Sequence, residues 1–563
     1  MLRHRTLVVT FAILLQSLFV SAATVSFKPA VVYPVGTSPS GVAVGDFNGD
    51  GKMDLAVVNR GNPAANDNGG ISILLGKGDG TFESATNFAG AQNPFAIVVG
   101  DFNADGRVDL AVGSLGSTGG DITICLGNGD GTFQVGTPFT LPGYTILSMV
   151  ALDFNSDHKL DLAVTNGGFV SVLLGNGDGT FQPHVDYGTN VGLFTSLMAG
   201  DFNRDGKIDL AFYNDDNSPI VYLLIGNGDG TFQAPVAVTT GGYSLGAIGD
   251  FNQDGSLDFI AHGLGYKCGS FGSKLCPGPT AVFPGNGAGT FQAPLIAPSF
   301  YFDSIQLASD LDGDGNLDLA GYAITSISGP TRVLQIAVFL GNGDGSFQGP
   351  VTLAAGPQPE IVVAADLNGD QAPDLIALSP QDNSIAVLVN ATPAFLMIPA
   401  STTLTASAGQ QVTDMLTFAA ANVFSSTIQL SCQVSGPTPP PTCSLSPASI
   451  TVGASSSTST LTIGVPGASA SLRSPKSRLP LQPLYALALP VAFVGLGFRR
   501  KRVNPRHKRW LLGASLATAT LLSTACGGGG SMTQVHHATS YTVQVTAASD
   551  TLTKTTQISI NVQ

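Results

Sequence analysis

Asp46-Phe47-Asn48-Gly49-Asp50-Gly51-Lys52-Met53-Asp54, followed at once by the apolar Leu55-Ala56-Val57-Val58, is the stretch whose reading decides the fold. The pattern recurs at 101–109, 153–161, 201–209, 250–258, 310–318 and 366–374, seven copies whose starts lie 48 to 60 residues apart. Each copy places side-chain oxygens at its first, third, fifth and ninth positions. In the first three copies these belong to Asp46, Asn48, Asp50 and Asp54, to Asp101, Asn103, Asp105 and Asp109, and to Asp153, Asn155, Asp157 and Asp161. The fourth and fifth supply Asp201, Asn203, Asp205 and Asp209, then Asp250, Asn252, Asp254 and Asp258. The last two supply Asp310, Asp312, Asp314 and Asp318, then Asp366, Asn368, Asp370 and Asp374. Alternating oxygens followed by a glycine that lets the chain turn sharply are how a short loop wraps a hard cation with six to eight oxygen ligands. An Asp-rich turn needs no carboxylate at its ninth position, so the pattern is read as up to seven calcium sites.

Composition fits that reading. Of 563 residues 70 are glycine and only 11% are charged, and the apolar runs are short, which favours an all-β chain with many tight turns. The acids are unevenly spread: 36 of the 38 Asp and Glu lie between residues 24 and 392, and the seven loops hold 22 of them. Without cations such loops repel themselves, so folding and metal binding are expected to be linked. So acidic a surface argues against nucleic acid as a partner.

Around each loop the sequence repeats a unit of four short strand-like segments. In the first unit these are residues 41–45, 55–59, 71–75 and a segment near Phe88, with the turn Gly76-Lys77-Gly78-Asp79-Gly80-Thr81-Phe82 between the last two. Four strands per repeat of about 50 residues is the pattern of a propeller blade. The turn recurs at 127–133, 175–181, 226–232, 285–291 and 341–347, and its Phe is expected to pack between blades. Its aspartate (Asp79, Asp130, Asp178, Asp229, Asp344) reads as turn chemistry, because Ala288 replaces it in the fifth copy. The seventh unit stops after its third segment, 385–389. Residues 27–36 look like the segment that follows the other turns, so the N-terminal stretch is expected to complete the last blade and close the ring.

The paired motifs, Asp-Phe-Asn-x-Asp-Gly-x-x-Asp-Leu-Ala and Leu-Gly-Asn-Gly-Asp-Gly-Thr-Phe, resemble the FG-GAP/VCBS repeat family over residues 24–392. That family's fold is the β-propeller also found at the head of integrin α subunits. The resemblance implies a seven-bladed propeller with calcium held by loop positions 1, 3, 5 and 9 and by a main-chain carbonyl at position 7. Two other calcium motifs fail. An EF-hand or dockerin loop carries its last acid at position 12 and runs into a helix, whereas here it comes at 9 and runs into a strand. Nonapeptide β-helix repeats follow one another in tandem. Among the copies the sixth, with four carboxylates and Gly315 at the turn, is expected to bind tightest. The sites at 153–161 and 366–374 are expected to be weakest, because His158 and Gln371 stand where the turn favours Gly.

The flanks add further expectations. Arg3 and Arg5, the apolar run 7–20 and Val20-Ser21-Ala22 read as a signal peptide, residues 1–23, so the mature chain would be exported. From 393 to 466 Ser/Thr-rich alternating segments resemble the first part of a bacterial immunoglobulin-like sandwich, which a hairpin at 540–563 would complete. Cys268 with Cys276, and Cys432 with Cys443, are spaced for short-loop disulfides, and Cys125 reads as a buried thiol. Between the two parts of the sandwich lie the apolar stretches 479–498 and 510–525. The basic segment between them, 499–509, carries seven Lys and Arg. Together they read as two apolar transmembrane helices interrupting the sandwich, with the basic loop cytoplasmic. Each alone also resembles a processing signal: the first a C-terminal sorting signal, the second a lipoprotein signal ending at Cys526.

Function is less specified. The seven His are scattered and no nucleophile elbow, phosphate loop or zinc spacing occurs, so no catalytic residue is assigned and the chain is read as not an enzyme. The reading is an exported, membrane-tethered, monomeric calcium-binding propeller that acts as an adhesion or ligand-binding module for an extracellular protein or glycan. The alternatives are a glycan-binding lectin and a calcium-dependent polysaccharide-degrading enzyme, which would have to recruit Arg332 or Lys267.

Overall fold

The computed structural model describes residues 25–466 and 539–562 apart from short stretches within them, of which 215–219, 269–273 and 298–303 are the longest. It is all-β. A single turn of 3-10 helix, Pro63–Ala65, is the only helical element among the described residues.

Seven antiparallel sheets carry the repeats. In the first, Pro39–Gly45 pairs with Asp54–Asn59, which pairs with Gly70–Leu74, which pairs with Thr86–Phe88. The second strand of each sheet is an apolar run with polar ends, and Asp54–Asn59 is buried at every residue. Such a strand is covered on both faces, which is why it reads as Leu-Ala-Val-Val and does not alternate with polar residues. The covering comes from neighbouring sheets. Phe47, Val58 and Ile71 of the first sheet share one cluster with Leu110, Val112 and Cys125 of the second. The first strands of the seven sheets touch one another in chain order, and Pro39–Gly45 in turn touches Ile361–Ala365, so the order is cyclic. This fits a β-propeller of seven blades.

Closure uses the N-terminal segment. Val31–Pro34 pairs with the third strand of the last blade, Val31 opposite Val387 and Pro34 opposite Ser384. Lys28 N–H donates to the Val389 carbonyl, and Ala391 N–H to that of Ser26. Tyr33 then does in this blade what Tyr187 does in the third: its hydroxyl accepts the N–H of the next blade's turn phenylalanine, Phe82 and Phe232 respectively. The pairing gives the last blade its fourth, outermost strand.

The C-terminal part is a two-sheet sandwich. One sheet orders Ala394–Pro399, Gln411–Ala421, Ser457–Gly464 and Thr442–Ser446, the other Thr403–Ala406, Thr553–Val562, Thr539–Ala548, Ser426–Ser435 and Ser449–Val452. Phe395, Phe418, Leu461, Ile428, Val543 and Ile558 from both sheets fill one core. The hairpin 539–562 is therefore integral: it lies between Thr403–Ala406, to which it pairs in parallel, and Ser426–Ser435. Cys432 and Cys443 form a disulfide across the sandwich, with Cα atoms 6.1 Å apart.

One part of the expected fold class is corrected. There is no α-helix among the described residues, and no helix among them is long and apolar enough to cross a membrane. The two transmembrane helices therefore drop out of the fold description. They were inferred from hydropathy and from the basic loop between them, neither of which tests whether a helix forms. The stretches on which they were placed, 479–525, lie outside the described residues, as do the signal segment 1–23 and the side chains of Cys268 and Cys276.

Candidate metal loops and the face they share

Each acidic loop joins the first strand of a blade to the second, and each glycine-rich turn joins the third to the fourth. In an antiparallel sheet both connections fall at the same end. All seven loops and six turns therefore line one face of the ring.

Within a loop the side chains first serve the backbone. Asp46 accepts the N–H of Asp50 on Oδ1 (3.2 Å) and of Gly51 on Oδ2 (2.9 Å), Asn48 Oδ1 accepts the N–H of Asp50, and Asp50 Oδ1 that of Lys52. The chain can fold so tightly because positions 4 and 6 are both left-handed. Gly49 and Gly51 lie at φ 73° and 79°, and the same pair of conformations recurs through Ala104, Ser156, Arg204 and Gln253 at position 4. The sequence flagged only position 6. His158 and Gln371, expected to disturb their turns, adopt φ 65° and 64° and donate their N–H to Asp153 and Asp366 as the glycines do.

The ninth aspartate has a second task that sequence reasoning did not anticipate. Asp54 is fully buried. Its Oδ2 accepts the N–H of Phe47 at 2.9 Å and its Oδ1 that of Gly76 at 2.7 Å. Asp109, Asp161, Asp209, Asp258 and Asp318 hold their own second residue and turn glycine in the same way. Burial raises each of these carboxyls above its usual range and the two N–H donors only partly oppose it, leaving Asp258 at about 6, Asp374 at about 7 and Asp318 at about 8. The ninth position is thus a staple between loop and turn, and each oxygen keeps a lone pair to offer a cation.

Loops are also joined around the ring. Phe47 packs edge-on against Phe133 of the next blade's turn (5.5 Å between ring centroids), and the Gly131 N–H of that turn donates to the Phe47 carbonyl. Phe102 with Phe181, Phe154 with Phe232, Phe202 with Phe291 and Phe251 with Phe347 repeat the contact. The turn aspartates stay out of the loops: Asp79 accepts both the N–H and the hydroxyl of Thr81.

The loops differ in the charge they leave over. In four of them the fifth-position aspartate faces a basic residue two places on: Lys52, Arg107, Lys159 and Lys207, at 3.0 to 4.0 Å. These exposed pairs contribute little to stability and can give way to an ion. The sixth loop has no such neighbour. There the carboxylate oxygens of Asp310, Asp312 and Asp314 lie within 4.8 Å of one another. Asp312 is 2% exposed, and its Oδ2, like Asp310 Oδ1, is buried without a hydrogen-bond partner. In the other six loops the matching Oδ1 accepts the N–H of position 5. Burial, then the charge of Asp314, pushes the Asp312 carboxyl up. Orphaned, converging carboxylate oxygens fit a hard cation such as calcium, and Asp310, Asp312 and Asp314 would hold it here.

The four-stranded ring with its loops and turns defines a class, the repeat β-propeller, and sequence comparison places the repeats. The FG-GAP-like repeat matches at residues 64–112, 101–164, 153–212, 201–261 and 310–377, and the FG-GAP repeat at 38–74. The chain carries several FG-GAP repeats, four of the matched ranges running from the acidic loop of one blade into the second strand of the next. No curated protein matches it. A solved structure of an Agrocybe aegerita lectin, described as specifically recognising non-reducing terminal N-acetylglucosamine, is similar at 18% identity. The match has a TM-score of 0.39 over 58% of this chain and 90% of that one, and nothing about this chain is argued from it.

Proposed function

We propose that this chain is an exported calcium-binding FG-GAP propeller that acts as an adhesion or ligand-binding module and has no catalytic role of its own. The observation that carries the calcium reading is the pair of buried, unpartnered oxygens in the sixth loop, Asp310 Oδ1 and Asp312 Oδ2. Two buried carboxylate oxygens that receive no donor are costly unless a cation neutralises them. The remaining loops, whose oxygens are engaged with N–H groups and in four cases with a basic side chain, would bind more weakly. Export is supported by the Cys432–Cys443 disulfide, which persists in oxidising compartments. The recognition role is supported by the loop face, where rigid blades present many short loops side by side. Calorimetric titration of calcium into the chelator-treated full chain tests the reading. At least one site is expected, with the tightest removed by Asp312→Asn, and absence of any calcium uptake refutes it.

The lectin alternative has one observation in its favour. A groove of about 680 Å³ between the second and third blades is lined by Phe139 and Phe181 with Thr137, Gln182 and His184 beside them. Aromatic faces among hydrogen-bonding groups suit a sugar ring. Glycan binding abolished by Phe181→Ala with calcium uptake unchanged would favour this role.

A further inference from the structure

The sixth loop does not stand open on the propeller face, because the sandwich sits over it. A cavity of about 30 Å³, room for about one water-sized sphere or a single ion, is lined by Asp310, Asp312 and Gly313 from the loop and by Ala394 and Lys554 from the sandwich. Contact is close: a Cβ added at Gly313 would lie 2.9 Å from the Ala394 Cβ and 3.4 Å from the Lys554 ammonium. Lys554 occupies the second position of Thr553–Val562, the strand that pairs with Thr403–Ala406, so its place follows from assembly of the sandwich. Nearby Asn422 donates its side-chain amide to the Thr392 carbonyl, which fixes the sandwich to the chain leaving the last blade.

Charge makes this juxtaposition meaningful. Asp310, Asp312 and Asp314 bring three carboxyl groups into one cluster, whereas the basic residue that faces the fifth-position aspartate in four other loops is here Asn316. The cation that faces this cluster comes from the other domain. Asp312 is more than nine-tenths buried with a free Oδ2, and it lines the cavity that Lys554 also lines.

We propose that Lys554 is an interdomain counter-ion for the sixth loop, so that docking of the sandwich and binding of a divalent cation at Asp310, Asp312 and Asp314 oppose each other. The proposal rests on the calcium reading above and deepens it for one site. The ammonium and the ion are drawn by the same carboxylates and repel each other across a poorly screened gap. By linkage, whatever weakens the ion's hold in the presence of Lys554 equally weakens the lysine's hold when the ion is bound. Calcium would therefore loosen the sandwich from the loop face, and chelation would tighten it. Gln371, Ala372 and Pro373 of the seventh loop line the same cavity, so the loops that would bind without this effect are the first five, which share neither cavity nor hydrogen bond with the sandwich among the described residues.

The test uses the full chain, calcium, three single variants and one double variant. Lys554→Met keeps the stem of the side chain and removes the charge. Lys554→Arg keeps the charge, and Asp312→Asn removes the site. Calcium titration at low ionic strength is expected to show one site tightened at least about threefold in Lys554→Met, an effect that shrinks as salt rises. It should stay near the parent value in Lys554→Arg and vanish in Lys554→Met/Asp312→Asn, as a double-mutant cycle requires. An independent readout is a pair of spin labels, one on each domain. Their distance distribution should broaden with calcium in the parent chain and be broad with or without it in Lys554→Met. Calcium binding with unchanged or weakened affinity in Lys554→Met overturns the inference and leaves the calcium reading intact. No calcium binding by the parent chain overturns both. Melting curves of each variant establish that the compared proteins are folded.

Discussion

The side-chain amide of Asn390 donates to the carbonyl of Leu311 at 2.7 Å, joining the end of the seventh blade to the acidic loop of the sixth. Elsewhere that carbonyl position is served by a turn glycine N–H from the next blade, as Gly131 serves Phe47. The seventh blade has no such turn, and Asn390 takes over both of its tasks. Its own N–H donates to Asp374 Oδ1 at 2.7 Å, where Gly76 donates to Asp54 in the first blade. Its side chain reaches the neighbouring blade and the Pro373 carbonyl, while its Oδ1 accepts the N–H of Thr392.

Asn390→Ala is therefore expected to destabilise the propeller more than an ordinary polar substitution. It strands a buried acceptor at Leu311 and a partly buried one at Pro373, and a buried group left without a partner costs about 1–3 kcal/mol. A loss of about 2–4 kcal/mol in urea unfolding is expected. A loss under about 1 kcal/mol would show that the seam does not depend on this residue.

The ninth aspartate should separate from its neighbours by the same measurement. Asp209 is buried and accepts the N–H groups of Phe202 and Gly226, whereas Asp205 is exposed and accepts that of Lys207. In excess chelator Asp209→Asn should cost about 2–3 kcal/mol, since an amide turns one acceptor into a donor facing an N–H. Asp205→Asn should cost little in chelator and lose only what calcium adds. Equal costs in chelator would mean that position 9 is a ligand with no stapling role.

Much of this was legible because periodicity and turn chemistry are local. Seven copies of one loop fix the unit, and the missing fourth segment of the last unit points to residues 27–36, within which Val31–Pro34 is the closing strand. What was hidden depends on contacts between distant residues. Nothing in the order of residues says that Asp54 will meet the Gly76 N–H, or that Lys554 will face Asp310 across 244 positions. The transmembrane reading of 479–525 rested on hydropathy and on the basic loop, and those residues lie outside the described ones. In the sandwich, Ala394–Pro399, Thr442–Ser446 and Ser449–Val452 are short strands beside prolines, whose alternation is too weak to mark them in the sequence.

His158 offers a test of the loop backbone itself. It lies exposed at φ 65°, a conformation that disfavours residues with a Cβ by about 1–2 kcal/mol. His158→Gly relieves that cost and gives back about 0.4–1 kcal/mol through the freer unfolded chain. A net gain of about 0.5–1 kcal/mol is expected in chemical denaturation. The contrasting change Gly206→His, at φ 79° in the fourth loop, should destabilise by a similar amount. A loss on His158→Gly would mean that the imidazole contributes to its loop.

The buried carboxyls make stability depend on pH, with a sign opposite to the usual one for acidic proteins. Burial raises Asp318 to about 8, Asp374 to about 7 and Asp258 to about 6, from 3.8 in the unfolded chain. Between the unfolded and folded values the native state holds more protons than the unfolded state. Stability of the chelated protein must then fall as pH rises through that window, from near 4 to near 8. Calcium reverses the trend, because it binds the ionised carboxylates and competes with their protons. Melting temperatures across pH 5 to 8 should therefore decline in chelator, and the increment produced by calcium should grow with pH. An increment that is independent of pH, or a chelated protein that gains stability toward pH 8, would show that these carboxyls are already ionised in the folded protein without metal.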